Sequence, residues 1–315
     1  MADAGDIRRV CVVGAGVIGA GWAARCLANG LDVTATDPHP EAEARLRAAI
    51  DNAWPALTRI GLAAGADRDR LRFEPDLEIA VAEADFIQEN APEAEDLKIA
   101  LHGRIDAAAG PRVVIASSSS GLLPSRIQSA CKHPERMVIG HPFNPVYILP
   151  LVEVLGGAAT GSAALDTAAA FYASIGMNPL RIESELPGYI SDRLQEAMWR
   201  EALHIVAEGA ATTEQIDTAI TDGPGLRLAL MGPCLTFHLA GGDGGMAHML
   251  EQFGPALKLP WTKLEAPELT EELSRRMIEG TRRQAAGRTV KQLERQRDDF
   301  LISVLELRRT AREGS

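Results

Sequence analysis

The strongest constraint on what this chain can fold into is a run of six residues, Gly14-Ala15-Gly16-Val17-Ile18-Gly19. It follows directly on the strand-like Val10-Cys11-Val12-Val13 and opens a helical pattern. In such a strand-turn-helix unit the first glycine permits the tight turn and the second lets phosphates approach the main chain. The third lets helix and strand pack closely. The helix N-terminus then offers free N–H groups and the positive end of its dipole to an anion. Alone, the six residues fit either a dinucleotide turn or a glycine-rich turn without a ligand. The next strand-like run, Val33-Thr34-Ala35-Thr36, ends at Asp37, 21 residues beyond Gly16. A carboxylate there can accept both hydroxyls of an adenosine ribose and repels a 2′-phosphate, so the expected cofactor is NAD rather than NADP. The plainer alternative for Asp37 is a helix cap.

The same alternation continues to about residue 185. Strand candidates are Arg9 to Val13, Asp32 to Thr36, Asp85 to Gln88, Val113 to Ala116, Met137 to Gly140 and Leu151 to Leu155. Helical stretches such as Ile18 to Asn29, Glu41 to Ile60, Glu95 to Ala109 and Ser162 to Ile175 lie between them. This succession predicts an α/β fold, a Rossmann-type doubly wound and mainly parallel sheet. Gly30 suits the left-handed position after the first helix. Past Pro187 the strand signals stop. Ile190, Leu194, Met198, Leu203 and Val206 keep a helical period, and a last helix spans about Thr289 to Thr310, with an apolar stripe of Val290, Leu293, Phe300, Val304 and Leu305. The 315 residues therefore divide into an NAD-binding domain, 1–185, and an all-helical domain for substrate binding and dimerisation, 186–315. The stripe packs either on its own domain or on a second copy, and the expected assembly is a homodimer.

Composition narrows the partners. Forty-three acidic residues against 32 basic ones leave a formal charge of -11, which argues against nucleic acid and against a polybasic membrane patch. Nowhere do 18 residues run apolar without a break, and the N-terminus lacks the apolar stretch of a signal peptide, so a cytoplasmic protein is expected. Cys11, Cys26, Cys131 and Cys234 are scattered, with no zinc-ligand spacing, and no metal is expected.

Oxidising an alcohol with a nicotinamide cofactor calls for a base to take the hydroxyl proton, a task suited to histidine. His141 closes the strand Met137-Val138-Ile139-Gly140 and opens His141-Pro142-Phe143-Asn144-Pro145. That is a strand's carboxyl end, where ligands bind in open α/β sheets. Twelve residues on, Glu153 interrupts the apolar run Leu151-Val152-Glu153-Val154-Leu155. A carboxylate in such a run is costly unless paired, and pairing with His141 would fix the imidazole tautomer and stabilise the imidazolium formed on proton abstraction.

These segments, with Ser120 upstream and Pro187-Gly188-Tyr189-Ile190-Ser191-Asp192-Arg193 downstream, resemble the 3-hydroxyacyl-CoA dehydrogenase family over essentially the whole chain. The resemblance implies His141 as base, Glu153 as its partner and Ser120 on the reacting oxygen. Asp192 stands where the family has an asparagine, a departure. The resemblance also implies cofactor contacts from Glu93, Lys98 and Asn144. Within the family the likeness is greatest to members that act on L-carnitine, through Asp37 to Glu43, Ser120 to Ser125, His141 to Glu153, Asp192 to Leu203 and Phe253 to Lys263. Those members also carry Asp at the position of Asp192.

A quaternary ammonium has no hydrogen-bond donor and is held by aromatic faces, at about 0.5 to 2 kcal/mol each. Ten of the fourteen aromatic residues lie beyond residue 140. Phe143, Tyr147, Trp199, Phe253 and Trp261 are the cage candidates, each with ordinary core packing as the alternative. Asp192, if ionised near Glu153, is expected to raise one of the two carboxyl pKa values and to favour a cationic substrate. Ser118, Ser119, Arg193 and Arg200 are candidates for the substrate carboxylate. The alternatives are oxidation of L-gulonate, oxidation of a 3-hydroxyacyl-CoA, or a catalytically idle, crystallin-like structural protein. Five lysines in the whole chain, and no basic cluster after the second strand, speak against the acyl-CoA.

Overall fold

The computed structural model describes residues 4–229, 232–255, 259–263, 268, 270–273, 275 and 286–313. The chain forms two compact units, Met1–Asp192 and Arg193–Ser315. The first is built on eight strands: β1 Arg9–Val13, β2 Asp32–Thr36, β3 Leu71–Phe73, β4 Phe86–Glu89, β5 Val114–Ser117, β6 Met137–Pro142, β7 Leu151–Leu155 and β8 Asn178–Arg181. They lie in the order β3-β2-β1-β4-β5-β6-β7-β8. All neighbours are parallel except β6 and β7, which run antiparallel. This is the doubly wound, mainly parallel sheet that the strand-helix alternation predicts.

Helices cover both faces: α1 Val17–Ala28, α2 Ala42–Ile60 and α6 Ser162–Ser174 on one, α3 Leu77–Ala82 and α4 Glu95–Ala108 on the other. The period-two alternation of β1 shows the division. Val10 and Val12 join the core with Leu46, Ala168 and Phe171, while Cys11 and Val13 face Val81 and Ile105. The central β4, β5 and β6 are buried along their whole length, so their polar residues Gln88, Glu89, Ser117 and His141 are buried with them. Gly30 has a φ of 76°, as a residue closing α1 requires.

Two strands escaped the sequence pattern. β3 is three residues long, and β8, Asn-Pro-Leu-Arg, is polar and holds a proline, which the sheet tolerates at its edge. A second difference concerns His141, which lies inside β6 rather than just beyond it, because β6 continues to Pro142 while it pairs with β7.

Helix α5 Pro124–Ile127 follows β5, and α7 Ser191–Ala207 leads from the first unit into the second. The second unit continues with α8 Thr213–Thr221, α9 Pro224–Leu228, α10 Pro233–Ala240, α11 Gly245–Phe253 and α12 Val290–Glu313, and it holds no strand among the described residues. On α7 the expected single apolar face divides. Leu203 and Val206 are buried with Leu273, whereas Leu194 and Met198 are more than half exposed. On α12, Ile302 is buried, Val304 and Leu305 are half-buried and Phe300 is exposed; the side chains of Val290 and Leu293 lie outside the described set. No helix among the described residues is long and apolar enough to cross a membrane.

Candidate active site

β1 sits between β2 and β4, so the chain departs in opposite directions from neighbouring strands and leaves a crevice at their carboxyl ends. Gly14 turns out of β1 with a φ of 90°, and a Cβ there would stand 2.8 Å from the main chain of Asn90. A Cβ on Gly19 would meet the Gly14 carbonyl oxygen, whereas nothing lies within 4 Å of the corresponding point on Gly16. The middle glycine therefore faces open space. Gly16 is also the N-cap of α1, and no side chain caps that end, which leaves first-turn N–H groups for an anion.

Asp37 follows β2. Its Oδ2 accepts the N–H of Ala15 at 2.8 Å and its Oδ1 that of His39 at 2.9 Å, which ties the strand end to the glycine turn. A cavity of about 650 Å³ opens here between Gly14, Gly16, Asp37, Ala91, Leu97 and the α3 end. Asp76 and Glu78 add carboxylates to its wall, and the lining Arg104 is held by Glu78 in a two-pronged ion pair at 2.9 and 3.1 Å. Such a wall accepts a ribose diol and disfavours a 2′-phosphate. These residues fit a bound NAD.

A buried polar cluster lies behind this cavity. Glu89, at the end of β4, has no exposed surface. One carboxylate oxygen accepts from the Ala91 N–H at 2.5 Å and the Lys98 Nζ at 2.8 Å; the other pairs with His102 Nε2 at 3.0 Å and accepts from the Ser117 hydroxyl at 2.5 Å. Burial pushes this carboxyl up, but His102 and the Lys98 ammonium outweigh it and bring it down to about 2. Lys98 also donates to the Ala91 carbonyl at 3.0 Å and lies 3.7 Å from Glu93. Glu93 Oε1 gathers the Ser119 hydroxyl at 2.5 Å and the N–H groups of Ser120 at 2.9 Å and Gly121 at 3.2 Å. Lys98 and Glu93 thus stand beneath the turn that carries Ser120, itself exposed. Sequence reasoning missed Glu89, His102 and Ser117. The available signal was Lys98 and His102 four apart on α4, in line with the buried Ile105.

Across the β6–β7 pair, His141 stands directly opposite Glu153. The Nδ1 to Oε2 distance is 2.9 Å, and both side chains are buried. Glu153 Oε1 accepts from the N–H groups of Ile190 at 3.2 Å and Ser191 at 3.0 Å, and from the Ser191 hydroxyl at 3.1 Å. Burial works to raise this carboxyl, but the bonds from His141 and Ser191 lower it overall. A carboxylate so held only accepts, so Nδ1 carries a proton, and in the neutral imidazole the lone pair lies on Nε2. Asp192 Oδ2 is 3.7 Å from Nε2, on the other side of the ring from Glu153. The upward shift expected from Asp192 does not fall on Glu153, whose carboxyl is lowered.

Phe143 packs edge-on to the imidazole with centroids 4.8 Å apart. Tyr147 packs on the hydrophobic core, and Asn144 is exposed. Tyr189, not foreseen from the sequence, lies 5.5 Å from the imidazole centroid, with its hydroxyl bonded to the Leu122 carbonyl at 2.8 Å. Trp199, Phe253 and Trp261 belong to the second unit, and all three are exposed. Two carboxylate candidates are engaged elsewhere: Ser118 bonds Trp22, Gln88 and Asn90, and Ser119 donates to Glu93. Arg193 and Arg200 lie in the second unit, Arg200 3.6 Å from Glu196. No cluster among the described residues could hold a metal.

A doubly wound sheet with this crevice, and a buried His141–Glu153 pair on its β6–β7 hairpin, fits an NAD-dependent dehydrogenase. Residues 9–185 match the NAD binding domain of 3-hydroxyacyl-CoA dehydrogenase and residues 188–280 its C-terminal domain, so the chain belongs to the 3-hydroxyacyl-CoA dehydrogenase family and acts as an NAD-dependent 3-hydroxy acid dehydrogenase. It is 58% identical over 302 residues to an L-carnitine dehydrogenase of Bacillus cereus, covering 96% of this chain and 93% of that one. An L-carnitine dehydrogenase of Pseudomonas aeruginosa is 58% identical over 300 residues, covering 95% and 94%. Among solved structures, 5-formyl-3-hydroxy-2-methylpyridine 4-carboxylic acid 5-dehydrogenase, an NAD+ dependent dismutase, is similar with a TM-score of 0.81 at 30% identity, over 96% of this chain and 99% of that one.

Proposed function

We propose that this enzyme oxidises L-carnitine to 3-dehydrocarnitine, with His141 as the general base. The observation that carries the proposal is the buried pair of His141 and Glu153, which leaves the imidazole Nε2 as a proton acceptor at the carboxyl end of β6. NAD, when bound, supplies the hydride acceptor. The turn at Gly14 to Gly19, including Ala15, Val17 and Ile18, holds its phosphates and Asp37 its ribose, while Glu93, Lys98 and Asn144 serve the cofactor side of the site. His141 Nε2 takes the proton of the 3-hydroxyl, and the Ser120 hydroxyl bonds the reacting oxygen. Glu153 stays ionised, keeps the tautomer and stabilises the imidazolium.

Substrate choice follows from charge. Asp192, beside Nε2 and within the field of Glu153, favours a substrate that brings a cation toward the hydroxyl-bearing carbon. Phe143 presents a ring next to His141, and Trp199, Phe253 and Trp261 are the further cage candidates, with Tyr147 the weaker one because it packs on the core. Alanine at a cage ring raises the KM for L-carnitine severalfold, and a ring whose loss does not is no part of the cage. Exposed apolar residues of the helical unit, Met198 and Phe237 among them, serve homodimer formation in the cytoplasm.

NADH formation measured with L-carnitine, D-carnitine, L-gulonate and 3-hydroxybutyryl-CoA tests the reading. L-carnitine is expected to be turned over with the highest kcat/KM. Preference for the acyl-CoA or the sugar acid overturns the substrate, and no turnover of any of them favours the idle structural protein.

A further inference from the structure

The loop between β6 and β7, residues 143–150, closes the hairpin on which His141 and Glu153 face each other. It is fastened to α1, the helix that follows the dinucleotide turn, at two points one helical turn apart. The first is Gly21. It is buried in the helix, where glycine is less stable than alanine, and a Cβ at this position would lie 2.8 Å from the Val146 Cβ. Helix and loop therefore meet main chain against side chain, with no room for a methyl group.

The second point is Arg25, 7% exposed. Its Nε donates to the Val146 carbonyl at 2.8 Å and its Nη2 to that of Leu149 at 3.3 Å. Its Nη1 donates to Ile175 at 3.1 Å and Gly176 at 3.3 Å, in the turn before β8. No carboxylate pairs with it among the described residues. Burial lowers its pKa only to about 10, so it is cationic at neutral pH. A buried guanidinium is costly to desolvate, and an apolar side chain would fill the same space. What the guanidinium adds is direction, since four main-chain oxygens from two separate segments converge on one rigid fork.

We propose that Gly21 and Arg25 are positioning residues for proton transfer, holding the loop that closes the His141–Glu153 hairpin at a set distance from the cofactor helix. The proposal rests on the reading of His141 as the base. Neither residue is placed to touch substrate, since Gly21 is buried against the loop and Arg25 against the loop and the turn before β8. Each acts through the loop, and a displacement of about 1 Å in a reacting group costs about a hundredfold in rate.

The test compares Gly21→Ala, Gly21→Ala with Val146→Gly, and Arg25→Lys, which keeps the charge but loses the fork. Each is measured for kcat with L-carnitine, for the NAD dissociation constant and for thermal unfolding, alone and combined with His141→Ala. In Gly21→Ala and Arg25→Lys, kcat is expected to fall about a hundredfold while the NAD dissociation constant stays within about threefold. Removing the Val146 Cβ is expected to restore most of the rate to Gly21→Ala, which a general loss of stability would not allow. On the His141→Ala background neither variant causes a further loss, because the base that they position is absent. A folded Gly21→Ala enzyme with nearly unchanged kcat, a parallel loss of NAD affinity, or an additive loss on His141→Ala overturns the proposal. If Gly21→Ala does not fold, the same comparisons on Arg25→Lys decide. Turnover persisting in His141→Ala alone overturns the base assignment instead, and is told apart because failure of the positioning role leaves that variant inactive.

Discussion

Replacing Glu153 by glutamine changes one atom and tests the site from the inside. Oε1 receives three donors, the N–H groups of Ile190 and Ser191 and the Ser191 hydroxyl, at 3.0 to 3.2 Å. The oxygen of a glutamine stays there, and its NH2 must turn toward His141 Nδ1, now 2.9 Å from Oε2. That group donates where the carboxylate accepted, so Nδ1 becomes the acceptor and the ring proton moves to Nε2, the atom that has to receive a proton. The variant also loses its counter-charge to the imidazolium. Two unit charges about 4 Å apart at an effective dielectric of about 20 interact by about 4 kcal/mol, which is about a thousandfold in rate. Tautomer and charge act together, and kcat for L-carnitine is expected to fall by about 10³ to 10⁴. Single-turnover NADH formation at saturating L-carnitine measures it, with NAD affinity and thermal unfolding as controls. A folded Glu153→Gln enzyme within about tenfold of the parent kcat rules out both roles for Glu153.

Three more outcomes are expected. Asp192→Asn lowers kcat/KM more for L-carnitine than for an uncharged 3-hydroxy acid, and equal losses on both deny the electrostatic role. Asp37→Ala removes a charged acceptor worth about 1.5 to 3 kcal/mol, so the KM for NAD rises at least tenfold while discrimination against NADP narrows; an unchanged ratio of the two cofactors speaks against Asp37 as the ribose ligand. Glu89 titrates near 4.5 when unfolded and at about 2 when folded. Its contribution, on the order of 3 kcal/mol, is therefore present above pH 4.5 and lost as pH falls toward 2. Urea unfolding of Glu89→Gln is expected to show lower stability at neutral pH and a shallower decline on acidification, and an unchanged acid slope contradicts this.

How much could be read from the sequence depends on how local each signal is. The glycine turn, Asp37 at the end of β2 and the buried Glu153 in β7 are written in consecutive residues, because strand alternation and turn chemistry act over a few positions. The pairing of His141 with Glu153 was inferred from the cost of an unpaired buried carboxylate, and their direct opposition depends on an antiparallel register that no single strand reveals. Glu89, Lys98 and His102 meet only once α4 packs behind β4, so Glu89 and His102 alone read as ordinary polar residues. Arg25 sits in a helix, where arginine is unremarked. Its buried state depends on carbonyls more than 120 residues away. The apolar period of α7 correctly marks a helix, yet cannot say which half of the stripe is covered.

Everything proposed for this site depends on His141 accepting the hydroxyl proton in an NAD-linked oxidation of L-carnitine. The most direct test is the kcat of His141→Ala with L-carnitine, measured together with the NAD dissociation constant of the same preparation. The variant is expected to bind NAD as the parent does and to form NADH at most at about a thousandth of its rate. Near-normal turnover by that variant contradicts it.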